Sequence, residues 1–148
     1  MRTKTLIRWS DNMSVFVEEL DAEHKLIIAE IGELYSSRKG QPHNTLQKRL
    51  SFLVNHFISH FAHEESYMEK DQYPNLGAHK EIHHVFVNDM TALLQSLNNA
   101  ERFEISDESL NMIARWLDNH ILTEDKDYAL YAARRALSPA EDRGARPA

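Results

Sequence analysis

Apolar residues recur at three- and four-residue spacing along four long segments of the chain, and nowhere do they alternate with a period of two. The pattern predicts an all-α protein. A first helix over Asp21 to Arg38, with Asp21 as its N-cap and Gly40-Gln41-Pro42 as its stop, turns His24, Ile27, Ile28, Ile31, Leu34 and Tyr35 to one side. A second, from about Asn44 to Lys70, presents Leu50, Leu53, Phe57, His60, Phe61, Glu64 and Met68 and ends at the Tyr73-Pro74-Asn75 turn. The third, from Leu76 to Leu97, has the most regular seam: His79, His83, Phe86, Met90, Leu93, Leu97. Ser106, followed by Asp107 and Glu108, reads as the cap and acidic first turn of a fourth helix carrying Leu110, Ile113, Leu117, His120 and Ile121. Helices of this length, about 30 Å each and joined by short loops, pack up-down-up-down as a four-helix bundle. An N-terminal arm around Trp9 precedes them and a short C-terminal helix, Lys126 to Leu137, follows. Residues 1–137 are expected to form one domain, and 138–148, rich in Pro, Gly, Ala and charge, a disordered tail.

The inner stripes contain groups that a bundle core should exclude. An unpaired buried imidazole or carboxylate costs several kcal/mol unless it is bonded, neutralised or metal-bound. A lone His on an apolar face is ordinarily a satisfied core residue, and His24 by itself carries no further meaning. The set does, because every helix supplies at least one: His24, then His60 with Glu64, then His79 with His83, then His120. His60 with Glu64 and His79 with His83 are i, i+4 pairs, which lie one above the other on a helix and can bind one centre. On the fourth helix, plain spacing from His120 points to Glu124 at i+4, while Asp125 at i+5 lies about 140° round an ideal helix. A π-turn would bring Asp125 inward instead, and spacing alone leaves both open.

Composition narrows the chemistry. With no Cys there is no disulfide frame, thiolate nucleophile, iron–sulfur cluster or Cys-ligated zinc, so any metal is held by nitrogen and oxygen. Imidazole and carboxylate donors suit iron, manganese, zinc or copper, and five imidazoles exceed what one tetrahedral zinc takes, so two metals are expected. Asp and Glu total 23 against 17 Lys and Arg, which excludes the basic footprint of a nucleic-acid binder. No run has the apolar length of a signal sequence or membrane span, and a soluble, cytoplasmic, monomeric protein is expected.

The residues resemble the hemerythrin family, in particular its single-domain bacterial members. The family pattern of an isolated His, His-x3-Glu, His-x3-His and His-x4-Asp stands here as Asp21-Ala-Glu-His24, His60-Phe-Ala-His-Glu64-Glu65, His79-Lys-Glu-Ile-His83 and His120-Ile-Leu-Thr-Glu-Asp125. Trp9 and the Tyr73-Pro74 turn also match, so the resemblance spans about residues 6–130. It selects Asp125 over Glu124. It further implies one iron held by His79, His83 and His120, a second by His24 and His60, with Glu64, Asp125 and an oxo or hydroxo group bridging them. The second iron is then one ligand short, and dioxygen docks there reversibly, for storage, delivery to an oxygen-consuming enzyme, or sensing. Ile27, Ile28, Phe57, Phe61, Phe86, Leu117 and Ile121 are candidate walls of that site, each equally a plain core residue.

The competing reading is a di-iron enzyme acting on peroxide, dioxygen or nitric oxide. It needs an acid or base beside the open iron, for which Glu65, Tyr67 or His63 could serve if turned inward. His-Glu-x-x-His is absent, against a zinc peptidase. Of the other histidines, His43 is placed in the first loop, His56 and His63 at the edge of the second helix, and His84 beside the third helix's seam.

Overall fold

A computed structural model of the chain describes residues 6–137; the tail expected over 138–148 lies outside them. All regular structure among the described residues is helical. A single 3-10 turn, Asp11–Met13, interrupts the N-terminal arm. The helices are α1 (Glu18–Ser37), α2 (His43–Lys70), α3 (Leu76–Asn98), α4 (Asp107–His120) and α5 (Lys126–Leu137). Helix α2 packs against both α1 and α3, and α1 also packs against α4. Trp116 of α4 stacks on Phe86 of α3, with ring centroids 3.7 Å apart, and completes the ring of four.

Three boundaries differ from expectation, each for a physical reason. Asp21 does not cap α1, which already begins at Glu18. Its carboxylate reaches back to the arm instead, accepting from Ser14 Oγ at 2.6 Å and Val15 N at 2.9 Å. His43 is the first residue of α2 rather than part of a loop, because Pro42 takes the N-cap position with its φ of −61° already suited to a helix start. The expected short C-terminal helix is present, but α4 runs into it without leaving helical conformation, through a π-turn at Ile121–Asp125. Ser106 caps α4 as its sequence predicts, its Oγ accepting from Ser109 N at 3.1 Å.

The core fills the half of the bundle away from the histidines. Ile31 and Leu34 from α1, Leu50 and Leu53 from α2, Met90 from α3, and Leu110 and Ile113 from α4 are all buried there. Phe103 and Ile105 close that end from the α3–α4 loop, and Arg38 ties the loop down by donating to Ile105 O at 2.8 Å and pairing with Asp107. All seven candidate wall residues are buried, as a core reading requires.

At the opposite end, α2 closes with a Schellman arrangement: Tyr73 N donates to Met68 O at 2.9 Å and Gln72 N to Glu69 O at 3.1 Å. The residue that must adopt the left-handed conformation there is Gln72, with φ of 54°. Glycine bears no side-chain penalty in that region, so Gln72→Gly is expected to stabilise the fold by about 1 kcal/mol, read as a rise in the midpoint of urea unfolding. Helix α5 docks on this turn, with Tyr128 donating to Asp71 Oδ2 at 2.5 Å and Tyr131 to the carbonyls of Asp71 and Gln72 at 3.0 Å.

Candidate metal centre

The bundle brings all seven sequence-predicted residues into one buried cluster. His24 comes from α1, His60 and Glu64 from α2, His79 and His83 from α3, and His120 from the last residue of α4. Asp125 arrives at the end of the π-turn, where hydrogen bonds that skip one residue more than usual bring the fifth residue back toward His120. None of the seven side chains is more than 3 % exposed.

Within the cluster the donor atoms separate into two overlapping groups. One contains His79, His83, His120, Glu64 and Asp125; the other contains His24, His60 and the same two carboxylates. Each carboxylate divides its oxygens between them. Glu64 Oε1 lies 2.9 Å from His79 Nε2 and 3.3 Å from His83 Nε2, while its Oε2 lies 3.4 Å from His60 Nε2 and 3.7 Å from His24 Nε2. Asp125 Oδ1 lies 3.0 Å from His120 Nε2 and 3.1 Å from His79 Nε2, and its Oδ2 lies 3.3 Å from His24 Nε2.

Three of the imidazoles are oriented from outside by carboxylates. His60 Nδ1 donates to Glu23 at 2.7 Å, His83 Nδ1 to Glu65 at 2.7 Å and His120 Nδ1 to Glu124 at 3.1 Å. Hydrogen bonds of this kind place the proton on Nδ1 and turn Nε2 toward the centre, the arrangement that metal-binding imidazoles use. Inside, His83 Nε2 and His120 Nε2 face each other at 3.0 Å, so a proton or a metal cation has to lie between them. Both nitrogens of His24, Nε2 of His60, Oε2 of Glu64 and both oxygens of Asp125 are buried without a partner in hydrogen-bonding geometry. Such a concentration of orphaned donors and acceptors is costly in an apolar interior, and a cation in each group removes the cost. The donor chemistry, five neutral nitrogens and two shared carboxylates, fits a pair of iron ions.

Aromatic rings pack around the three-histidine group. Phe61 stacks on His83 with centroids 3.8 Å apart, and Trp116 stacks on His120 at 4.6 Å. Beside the two-histidine group lies a small cleft of about 160 Å³ between α1 and α2, lined by Glu23, Leu26, Ile27, His56, Ser59 and His60.

Of the outer carboxylates, Glu23 has no role expected from the sequence, and Glu124, over which the family pattern selects Asp125, meets His120 from outside. Both stand directly before a ligand-type residue, and Glu65 directly after one, which is the signal that was available. The possible acids and bases of the enzyme reading are engaged outside the cluster: Glu65 with His83, His63 with Glu23, and Tyr67 with Glu19 at 2.8 Å. His56 pairs with Glu30 at the edge of α2, and His84 is exposed next to Asn88.

Electrostatics in the metal-free cluster follow from burial opposed by pairing. Burial disfavours the charged imidazolium of His60, but the hydrogen bond to Glu23 and pairing with the Glu64 carboxylate outweigh it and raise its pKa from 6.5 to about 10. His79 is raised to about 9 by Asp125 and Glu64 against the same burial. Burial and the nearby Asp125 push Glu64 upward, yet its pairing with His60, His79 and His83 wins and brings it from 4.5 to about 2. Raised imidazoles stabilise the fold fully below 6.5, an effect lost as pH rises through 9 to 10; the lowered carboxylate stabilises it above 4.5 and is lost as pH falls through 2. The metal-free bundle is therefore expected to be most stable between pH 4.5 and 6.5. Metal ions must displace those imidazole protons, so uptake in weak buffer at about pH 7.5 is expected to release protons, and apparent affinity to fall as the pH is lowered. Uptake without proton release, followed potentiometrically, would contradict ligation through these nitrogens.

The class defined by this geometry is a helical bundle with a nitrogen- and oxygen-donor site for two cations at its centre. Residues 15–132 match the family model described as the hemerythrin HHE cation binding domain. The chain is 32% identical over 130 residues to a bacteriohemerythrin of Pseudomonas aeruginosa, an alignment covering 88% of this chain and 83% of that one. It is 33% identical over 121 residues to a myohemerythrin of Theromyzon tessulatum, covering 82% and 89%. A crystal structure of a point mutant superposes with a TM-score of 0.80 at 25% identity, covering 88% of this chain and 99% of the other. The chain belongs to the hemerythrin family, whose members are non-heme di-iron, oxygen-binding proteins rather than enzymes. No helix of the described residues is long and apolar enough to cross a membrane.

Proposed function

We propose that the chain binds dioxygen reversibly at two iron ions and serves as an oxygen store or as a carrier to an oxygen-consuming enzyme. His79, His83 and His120 hold one iron, His24 and His60 the other, and Glu64 and Asp125 span both. The observation that carries the reading is the uneven division of donors. With the carboxylates shared, one group has five candidate donors and the other four, so His24, His60 and the two carboxylates would leave an iron there one position for an external molecule. An iron pair bound there would supply reversible electron exchange with dioxygen. The protein's part is to limit the reaction to binding. Five neutral donors against two carboxylates leave the site poorer in negative charge than a carboxylate-rich di-iron enzyme, and the rings of Phe61 and Trp116 keep water from the three-histidine side.

Anaerobic loading with ferrous iron, admission of air and removal of oxygen tests this. The expected result is about two irons per chain and a visible charge-transfer band that appears with oxygen and vanishes without it over several cycles. Irreversible bleaching with rapid turnover of peroxide would establish the enzyme reading instead.

A further inference from the structure

The three outer carboxylates are not equivalent. Glu65 and Glu124 each orient one imidazole of the three-histidine group. Glu23 holds two imidazoles at once, with Oε1 at 2.7 Å from His60 Nδ1 and Oε2 at 2.6 Å from His63 Nδ1. His60 is buried in the cluster, whereas His63 is 36 % exposed. The line continues outward, since His63 Nε2 lies 3.4 Å from Glu19 Oε2, which accepts from the hydroxyl of Tyr67 at 2.8 Å. Every contact crosses between α1 and α2, so one helix pair holds the whole path from the cluster to the surface.

A carboxylate that accepts from the outer nitrogen of a ligand imidazole makes that imidazole a stronger electron donor to its metal. A second N–H donor on the same carboxylate draws away part of its negative charge and weakens the first hydrogen bond. We propose that Glu23 is a positioning residue that couples the ligand His60 to the surface imidazole His63, so that the reduction potential of the two-histidine iron is set from outside the cluster. This rests on the proposed role of His60 as a ligand of that iron. The same carboxylate lines the cleft that opens beside His60, so the coupling acts at the centre with the free position.

Two substitutions shift the potential in opposite directions. Glu23→Gln removes the negative charge behind His60, making it a poorer donor; ferric iron loses stabilisation and the midpoint potential rises. His63→Ala leaves Glu23 bound to His60 alone, which strengthens that bond and lowers the potential. The measurement is a spectroelectrochemical titration of the full chain loaded with iron, with Co2+ affinity determined in competition with a chromophoric chelator. Glu23→Gln is expected to weaken binding of one Co2+ by about 10–100-fold, with substantial recovery in Glu23→Asp. A merely structural role for Glu23 predicts no effect of His63→Ala on the potential. An unshifted His63→Ala potential, or shifts of the same sign in both variants, overturns the coupling. If Glu23→Gln does not fold, the sign of the His63→Ala shift decides alone. A wild-type chain that binds fewer than two metals removes the di-iron reading and this one together, while two metals with an unshifted His63→Ala removes only this one.

Discussion

Glu64→Ala and Asp125→Ala are each expected to take the protein from two bound metals to one or none, whereas Glu124→Ala is expected to keep both. Glu64 and Asp125 are the residues shared by the two donor groups, each contributing one oxygen to either side. Removing one takes a shared donor from both groups and leaves five imidazoles facing a single carboxylate. Carboxylates that only orient a ligand from outside are worth about 10–100-fold in metal affinity, so loss of a bridging one should exceed about 100-fold. Glu124 touches only Nδ1 of His120 from outside, and its loss should fall within that lower range. Metal analysis after dialysis and calorimetric titration with Co2+ distinguish the cases, and Glu64→Gln, which keeps the shape, guards against collapse of the site. Retention of two metals by Asp125→Ala together with their loss in Glu124→Ala would reverse the assignment of the bridge.

Phe57→Ala is expected to cost about 3–5 kcal/mol of fold stability, the usual range for deleting a fully buried aromatic ring. Phe57 is 0 % exposed and sits edge-on to Phe86, with centroids 5.0 Å apart, and tilted to Phe61 at 5.7 Å. Its removal leaves a void beneath Phe61, the ring that stacks on His83, so the damage reaches the wall of the metal centre. Domains of this kind have only about 5–15 kcal/mol in total, and the melting temperature should drop by roughly 10–15 °C. The measurement belongs on metal-free protein, since a ligand that binds only the folded state masks the loss. Phe52, on the same helix but 59 % exposed, is the control, and its replacement by Ala is expected to change stability by no more than about 0.5 kcal/mol. Equal losses for the two would mean that burial does not govern this face of α2.

Much of the protein is legible along the chain, because much of it is governed by spacing within one helix. The three- and four-residue recurrence of apolar positions specifies four helices, and it places His60 above Glu64 and His79 above His83 whatever the rest does. The absence of Cys limits the donors to nitrogen and oxygen. Ser106 caps α4 through a bond to Ser109, three residues on, and is equally readable. Asp125 was beyond spacing and came from the family pattern.

What spacing could not supply depends on contacts between helices. Asp21 and Glu23 look alike in sequence, both acids in the first turns of α1, yet one captures the arm through Ser14 and Val15 and the other binds two imidazoles of α2. Glu124 obeys the i+4 rule and does meet His120, but on the outer nitrogen. The inner position goes to Asp125, since only there does a carboxylate face His24, His79 and His120 together, and those pairings outweigh the distortion of one helical turn. The sequence by itself determined the helices, the types of donor and their order. The tertiary structure decided which carboxylates lie between the two donor groups and which ones meet an imidazole from outside, because that choice depends on where side chains from different helices meet, a quantity no periodicity within one helix contains.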